Sequence, residues 1–493
     1  MAEDSNSTIS SLSSISWGAA VFVIGRILSR GLAFAFTVVL TRGLGPAVYG
    51  IYALTDSVIK ILMPFAKLGA DKSILKFVPA KEGEAKRDVV LLSYIVAFLG
   101  STLIFSLLYL GSPYINQYTL NNQILVTALR FAGGLFFIQS AIFVTGSVFR
   151  AVDRPELEVF TNKIARQVFL LIAATVAIFL ALPLKYIFVL ILAGSVATLL
   201  TGIGVLKKIG AAPTLRKPQV NFKEYLEFSL PLTLSDGSNF FFRQSDIIMI
   251  GIFANSTAVG IYTVATLLSE IVTLSQGAIT QMFPSVASKL YADNDISGLS
   301  QVYATATRWM FTISLFAALF LSVYPSEVLK IFGNGYQSGQ LVLLLIVSGQ
   351  LVNTLSGPSS YVLMMANHQR FLMALKWLFG IINVIVNYFL IIRYGPVGAA
   401  LGTGLAIGGV NIMKVIAVRR YEGIHPYSKQ FIKPVVAGIG ALVIMLVLHG
   451  AFDGLMLVIT GGLIGGITYL FILYTLGLET EDIELYHHVR SND

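Results

Sequence analysis

The sequence predicts an all-α integral membrane protein with about fourteen transmembrane helices. Hydrophobic residues make up 56% of the 493 residues and charged residues only 12%, whereas roughly 25% of the residues in a soluble domain are charged. Fully apolar stretches of about 20 residues recur along the chain, which is the length that an α-helix needs to cross a bilayer. A membrane β-barrel would instead show ten-residue segments of alternating hydropathy.

The apolar stretches divide into two sets of six and a final pair. Taken in chain order, the predicted spans are 17–41, 47–70, 89–110, 123–149, 159–181, 186–206, 228–253, 258–284, 306–325, 338–365, 373–393, 398–417, 434–450 and 455–477.

Basic residues are concentrated in the connections that follow even-numbered spans. Examples are Lys81, Lys86, Arg154, Arg166 and Lys207. Because cytoplasmic loops of membrane proteins are enriched in Lys and Arg, this asymmetry predicts that both chain termini are cytoplasmic.

The longest basic, proline-containing connection follows the sixth span and predicts the boundary between two bundles. The resulting organisation is an N-terminal cytoplasmic tail 1–16, an N-lobe 17–206, a basic linker 207–227, a C-lobe 228–417, a second linker 418–433, two further helices within 434–477 and a cytoplasmic tail 478–493.

A short motif recurs in both predicted lobes. Gly50-Ile51-Tyr52 is repeated as Gly260-Ile261-Tyr262, in each case after a short outer turn at the start of an even-numbered span. Six-helix halves with the same orientation indicate parallel repeats, an arrangement in which substrate binds between the two bundles.

Ionisable side chains inside the spans are the candidate site residues. Each costs ~2.5–3.5 kcal/mol at the centre of a membrane helix, so such residues usually face a bundle interior or a water-filled cavity. Arg26 and Arg30 lie one helical turn apart with no acid in their span. The other candidates are Asp56, Lys60, Asp236, Arg243, Asp246 and Glu270, whereas Lys67 and Arg130 are expected to extend toward the membrane surface.

Two interpretations of these charges are open. Asp56 with Lys60, and Arg243 with Asp246, have the spacing of ion pairs within one helix. Such pairs could serve only to let the helix insert into the membrane, and the acids are also candidates for ion coupling.

Arg26 and Arg30 leave an excess of positive charge, which indicates an anionic ligand. Guanidinium groups bind phosphate with two parallel hydrogen bonds, so Arg26 and Arg30 are predicted to bind a phosphate group.

Several classes of function are excluded by composition. The net charge of +9 is explained by cytoplasmic loops, so no nucleic-acid partner is expected. Cysteine is absent and the five histidines are scattered, so neither a metal site nor another cofactor is predicted. The longest outer connection, GSPYINQYTLNN, carries no carboxylate, and we therefore predict no catalytic residues and no enzymatic activity.

Four segments together resemble one family: LTRGLGPAVYGIYAL, FSLPLTLSDGSNFFFRQSDIIMIGIFANSTAVGIYTVA, QMFPSVASKL and INVIVNYFLIIRYGPVGAALGTGLA. They resemble the polysaccharide transporters, or oligosaccharide flippases, of the multidrug/oligosaccharidyl-lipid/polysaccharide exporter superfamily. The resemblance implies two six-helix lobes around a central cavity and translocation of an isoprenoid-(pyro)phosphate-linked glycan to the outer leaflet. It also implies that the phosphate-binding cationic pattern of lipid-II flippases corresponds best to Arg26 and Arg30 and less closely to Lys60 and Arg243, so these four are the predicted substrate-binding residues.

The resemblance further implies a monomer in a prokaryotic plasma membrane, with the lipid-linked glycan, membrane lipids and glycan-assembly enzymes as partners. The alternative function is a multidrug or organic-cation antiporter of the same superfamily. That activity requires acidic residues to bind a cation, whereas the first span offers two arginines.

Overall fold

Every regular element in the described part of the chain is helical. The computed structural model describes the backbone of residues 2–214, 218 and 220–477, and within these ranges the side chains of 2–24, 26, 27, 238–241 and 278 are not described. The chain divides into two compact units, of which the first ends at Gly260 and the second begins at Ile261.

The first unit contains the helices up to α9 and the start of α10, because the boundary between the two units falls inside α10. They are α1 (Ala2–Lys67), α2 (Ala70–Phe77), α3 (Gly83–Gln117), α4 (Gln123–Gly133), α5 (Leu135–Ala151), α6 (Pro155–Glu158), a π-helix (Val159–Ala165), α7 (Arg166–Phe179), α8 (Leu184–Lys208), α9 (Phe222–Phe253) and α10 (Ser256–Ser269).

The second unit contains the remaining helices. They are a 3₁₀ turn (Glu270–Thr273), α11 (Leu274–Ala292), α12 (Ile296–Val323), α13 (Pro325–Lys330), a 3₁₀ turn (Asn334–Gly339), α14 (Gln340–Leu355), α15 (Ser359–Met365), α16 (Gln369–Glu422), a 3₁₀ turn (Lys429–Phe431), α17 (Ile432–His449) and α18 (Gly454–Thr475).

The membrane fold is confirmed by eleven helical stretches among the described residues that are long and apolar enough to cross a bilayer. Two of these stretches contain a break, at Gly45 (φ 68°) and at Gly395 (φ 57°). Each break lies between two predicted spans, and glycine allows it because a residue without Cβ adopts positive φ at little cost. The exact number of fourteen spans stays a prediction.

Helix irregularities and helix ends differ from the predicted spans. The predicted span 123–149 consists of two helices that meet at Gly134, and 258–284 is interrupted by the 3₁₀ turn Glu270–Thr273. The backbone is already helical from Ala2, through most of the predicted tail 1–16. Hydropathy marks the part of a helix that lipid surrounds. It does not report where the backbone hydrogen bonds of the helix begin, or where they change from the α-helical to the 3₁₀ pattern.

The last two helices belong to the second unit and pack on α12. The Tyr469 hydroxyl donates to the carbonyl of Thr312 (2.8 Å), and the Tyr324 hydroxyl, at the end of α12, donates to that of Met445 (2.7 Å). The other end of α12 is capped by Asp295, whose carboxylate accepts hydrogen bonds from the Gly298 N–H (2.8 Å) and the Ser297 hydroxyl (2.9 Å). These bonds hold the pKa of Asp295 below its usual value.

The repeated Gly-Ile-Tyr motifs meet directly. A Cβ added to Gly50 would collide with the carbonyl of Ser256, and a Cβ added to Gly260 would collide with the carbonyl of Pro46. The two contacts are reciprocal, since each glycine faces the residue four positions before the other one. Backbone-to-backbone packing of this kind requires glycine and is typical of helix contacts in membranes.

We predict that Gly50→Ala and Gly260→Ala each destabilise the protein by about 1–3 kcal/mol, because rigid backbone atoms have to move to admit the methyl group. The measurement is thermal unfolding of purified protein in detergent. Gly204→Ala is the matched control, because Gly204 lies inside α8 with open space around its Cβ position. Equal stability of all three variants would contradict the close contact.

Candidate functional site

The first charged group in the spans of the first unit consists of Asp56, Lys60 and Arg166. Asp56 and Lys60 lie one turn apart in the second half of α1, and the Lys60 Nζ is 2.6 Å from the Asp56 Oδ2. Their side chains are 35% and 50% exposed, so the pair faces an accessible space rather than the helix-packed core. The internal pairing that the spacing predicted is therefore formed.

Arg166 is the residue of this group that the sequence analysis did not select as a site candidate. It lies within the predicted span 159–181 but was grouped with the cytoplasmic bases, and in the structure the helix starts at Pro155 and Arg166 follows the π-helix as the first residue of α7. Eleven residues from the helix start correspond to about 16 Å at 1.5 Å per residue. The Arg166 side chain is influenced electrostatically by the Asp56 carboxylate and by Tyr52.

The Arg166 guanidinium is incompletely paired. Its Nε is buried and has no hydrogen-bond partner among the described residues. A π-helix is rare and frequently marks a functional position, since it re-aims the side chains that follow it. The Asp56 carboxylate is paired with Lys60 and also acts electrostatically on Arg166, so one acid stands against two bases in this group.

The first half of α1 lies along the same π-helix. The Ser29 hydroxyl is buried and donates to the carbonyl of Lys163 (3.4 Å), and a Cβ on Gly25 would collide with Val159. Arg30, the neighbour of Ser29, is exposed. The helix that carries Arg30 is therefore brought beside the segment that carries Arg166, whereas the Arg26 side chain lies outside the described residues.

A second charged group surrounds Lys67 at the end of α1. The Lys67 Nζ is 2.6 Å from the Asp71 Oδ2 and 3.6 Å from the Asp236 Oδ2, and it lies 5.1 Å from the centre of the Phe143 ring. The side chains of Lys67 and Asp71 are both 8% exposed. The prediction that Lys67 extends toward the membrane surface is therefore wrong: two nearby acids make an internal position more favourable.

Helix α9, which carries Asp236, packs along the second half of α1. Gly251 faces Leu54 and Gly237 faces Phe65, so two glycines allow the helices to approach.

The start of α9 extends this packing onto α2 and α3. The Tyr225 hydroxyl donates to Ser93 (2.8 Å), the Phe77 ring stacks on Tyr225 (5.9 Å between centroids), and the Lys76 Nζ lies 4.2 Å from the centre of the Phe228 ring. The Lys67 group thus lies within a continuous contact of α9 with the preceding helices.

The remaining predicted residues are Arg243, Asp246 and Glu270. Asp246 is buried and accepts a hydrogen bond from the Ile247 N–H (3.0 Å), whereas Arg243 is exposed. Glu270 is exposed and opens a 3₁₀ turn in the second unit. The Arg243–Asp246 pairing and the role of Glu270 stay predictions.

Comparison with known proteins gives consistent results. Residues 16–290 match the family described as "Polysaccharide biosynthesis protein". The chain is 23% identical to the "Probable low-salt glycan biosynthesis flippase Agl15" of Haloferax volcanii, over 78% of this chain and 79% of that protein.

Solved structures show the same fold. The lipid II flippase MurJ in an inward closed conformation matches with a TM-score of 0.74 and 13% identity, over 92% of this chain and 98% of that one. An inward-facing multidrug resistance MATE family transporter of the MOP superfamily matches with a TM-score of 0.71 and 16% identity, over 82% of this chain and 98% of that one.

We predict that Lys67→Met destabilises the protein by about 3–5 kcal/mol, because the buried Asp71 carboxylate loses its counter-charge. Asp236→Asn keeps the 2.6 Å pair with Asp71 and has a smaller effect. The control is Lys223→Met, whose exposed pair with Glu227 (3.9 Å) contributes about 0–1 kcal/mol. If Lys67→Met unfolds at the same temperature as Lys223→Met, the buried cluster does not stabilise the fold.

Proposed function

Because the chain belongs to the polysaccharide biosynthesis protein family, we propose that it is a flippase for a lipid-linked glycan. It moves an oligosaccharide or polysaccharide precursor, attached to an isoprenoid (pyro)phosphate, from the inner to the outer leaflet by alternating access. The resemblance to polysaccharide transporters is confirmed by the family match, and a relative over most of the chain is named as a probable glycan biosynthesis flippase.

The observation that carries the proposal is the uncompensated positive charge in the spans of the first unit. The Lys67 cation has two carboxylates near it. Among the described residues, Asp56 is the one acid that is paired with Lys60 and that acts electrostatically on Arg166, and the exposed Arg30 lies on an adjacent helix surface. A cationic surface at membrane depth suits the phosphate of a lipid carrier, because guanidinium and ammonium groups replace the water that the phosphate loses.

The antiporter alternative is less well supported by these residues. A transporter for organic cations needs a carboxylate that is available to the cation. Asp56 is paired with Lys60, and both Asp71 and Asp236 contact Lys67. The similarity to MATE transporters is one of fold. The Haloferax relative is named as a probable flippase.

We further propose that the protein acts as a monomer in a prokaryotic plasma membrane, with both termini in the cytoplasm and with glycan-assembly enzymes as its partners. The concentration of bases in alternate connections supports this orientation.

The orientation predicts how single cysteines react, and the chain has no natural cysteine to interfere. Glu82 and Gln117 are exposed and lie at opposite ends of α3. In intact cells, Glu82→Cys should react only with membrane-permeant thiol reagents, and Gln117→Cys should also react with impermeant ones. The reverse pattern would show that the chain is inserted in the opposite sense.

We predict that Arg26→Ala and Arg30→Ala lose nearly all translocation of a lipid-linked glycan in proteoliposomes, and that the corresponding Lys variants keep part of it. Lysine retains the charge but cannot donate two parallel hydrogen bonds to adjacent phosphate oxygens. Arg420→Ala, at an exposed position in the last turn of α16, is the matched control. Thermal stability is measured on the same samples. Full transport by the alanine variants, or a loss that only follows the amount of folded protein, would contradict phosphate binding.

A further inference from the structure

A cavity of about 370 Å³ lies within the second unit, between the start of α12 and the segment that follows α16. Apart from Arg308, its lining residues belong to the connections 285–305 and 418–433, which follow the predicted eighth and twelfth spans. Both connections are cytoplasmic in the orientation proposed above. The cavity therefore lies beside the membrane-spanning segments, on the side that faces the aqueous phase of the cytoplasm.

One wall of the cavity is a single face of α12. The lining residues of this wall recur every three or four positions, as neighbours on a helix do, and include Ser297, Ser300, Ala304 and Arg308. Small side chains at the first three positions leave a groove, and Arg308 lies at its inner end, about 16 Å along the helix from Ser297. Arg308 is only 8% exposed. The groove thus ends at a buried guanidinium.

The other wall is formed by the residues that follow α16. Gly423 ends the helix in a left-handed conformation (φ 72°), which glycine adopts at little cost. The next four residues alternate in burial: Ile424 and Pro426 are buried, whereas His425 and Tyr427 are exposed and line the cavity. The two buried residues anchor the segment, and the two exposed ones face a ligand.

Aromatic packing fixes this second wall against α12. The Phe431 ring stacks on Phe311 of α12 with 5.7 Å between the ring centroids, and the Tyr427 ring packs edge-on against Phe431 at 5.5 Å. Tyr427 is nevertheless 44% exposed. The cavity is therefore held in place by contacts that leave part of the Tyr427 ring accessible.

The lining of this cavity is basic and polar. Arg308 supplies a guanidinium and His425 an imidazole, and no Asp or Glu is among the lining residues, all of which lie in the described part of the chain. Asp295, which precedes this wall, already accepts from the Ser297 hydroxyl and the Gly298 N–H. A buried guanidinium in such a wall favours an anion in the space beside it. We propose that this cavity binds a soluble phosphate ester of a sugar, with its phosphate group at Arg308.

The chemistry of the lining selects this class of anion. A tetrahedral phosphate presents oxygens in several directions, so it can accept from the planar fork of Arg308 and from the opposite wall together, whereas the two oxygens of a carboxylate lie in one plane. The side chains of Ser300, Thr305 and Gln430 both donate and accept hydrogen bonds, which suits sugar hydroxyl groups. The accessible Tyr427 ring offers an apolar surface to the C–H groups of a sugar ring. The volume of the cavity is that of a small-molecule site rather than of an inorganic ion.

The corresponding place in the first unit differs in its lining. A cavity of about 390 Å³ lies there between the start of α3 and the end of α8, and its lining also contains an arginine, Arg87. The Arg87 Nε donates to the carbonyl of Gly210 (3.2 Å). Its buried lining residues are Val78, Val90 and Val148, and none of its lining residues carries a hydroxyl group. We expect no sugar binding there, which makes Arg87 the matched control for Arg308.

The test is calorimetry on the purified full-length protein in detergent, with glucose 1-phosphate as the probe. The wild type should bind it at least tenfold more tightly than inorganic phosphate or glucose, because each of these fills only part of the cavity. Arg308→Gln should weaken binding of glucose 1-phosphate at least tenfold, and Arg308→Lys severalfold. Ala304→Leu fills the groove while keeping Arg308, and it should also weaken binding at least tenfold. Arg87→Gln should leave the affinity unchanged.

Thermal unfolding of the same samples identifies the variants that fold, and Ala304→Leu keeps the test decisive if the Arg308 variants do not. Absence of glucose 1-phosphate binding, equal affinity for the three probes, retained affinity in folded Ala304→Leu, or an equal loss in Arg87→Gln would overturn the site. Calorimetry needs no transport, so these outcomes are independent of whether the protein flips a glycan.

A membrane lipid with a phosphorylated polyol headgroup has the same chemistry as the proposed ligand. The titration is therefore repeated with the protein in phosphatidylcholine vesicles, with and without phosphatidylinositol. The affinity for glucose 1-phosphate should be equal in both, because the lining lies outside the predicted spans except at Arg308. A severalfold loss of affinity in the vesicles that contain phosphatidylinositol would overturn the soluble source and assign the cavity to a lipid headgroup.

Discussion

Compensation of charge inside the membrane is the constraint on which the rest of this structure depends. An ionisable group in a spanning helix is unfavourable unless a counter-charge, a hydrogen-bond partner or a water-filled cavity accompanies it. The two charged groups of the first unit satisfy this constraint in opposite ways. Lys67 is surrounded by two acids and is inaccessible, and it joins α1 and α2 to α9. Lys60 is paired with the partly exposed Asp56, and the same carboxylate acts electrostatically on the more buried Arg166. We therefore expect the first group to stabilise the fold, and we propose that the second binds an anion.

Glycine provides the second constraint, because helices in lipid gain little from burying apolar surface and associate by close packing instead. Gly50 and Gly260 contact the backbone of the opposite repeat, and Gly237 and Gly251 allow α9 to approach α1. Helix α9 also carries Asp236, so a shift of this helix changes both its packing against α1 and the contact of Asp236 with Lys67.

Local features of the site could be predicted from the sequence, and features that depend on distant segments could not. The Asp56–Lys60 pair follows from one-turn spacing, and the breaks at Gly45 and Gly395 follow from glycine next to proline between two apolar stretches. The Lys67–Asp236 contact joins helices that are far apart in the chain, so no spacing rule reports it. Arg166 was grouped with the cytoplasmic bases because hydropathy was given priority over Pro155 and Glu156, a proline at the first helical position followed by an acid. These residues do signal the helix start, from which the position of Arg166 eleven residues along the helix follows.

The central claim is that the protein carries a lipid-linked glycan across the membrane, and its most direct test is the leaflet distribution of that glycan in cells lacking the gene. We expect the complete lipid-linked glycan to accumulate in the cytoplasmic leaflet, where added glycosidases reach it only after the membrane is opened, and to return to the outer leaflet when the gene is restored. Normal delivery of glycan to the cell exterior in the deletion strain, without accumulation on the cytoplasmic side, would contradict the account.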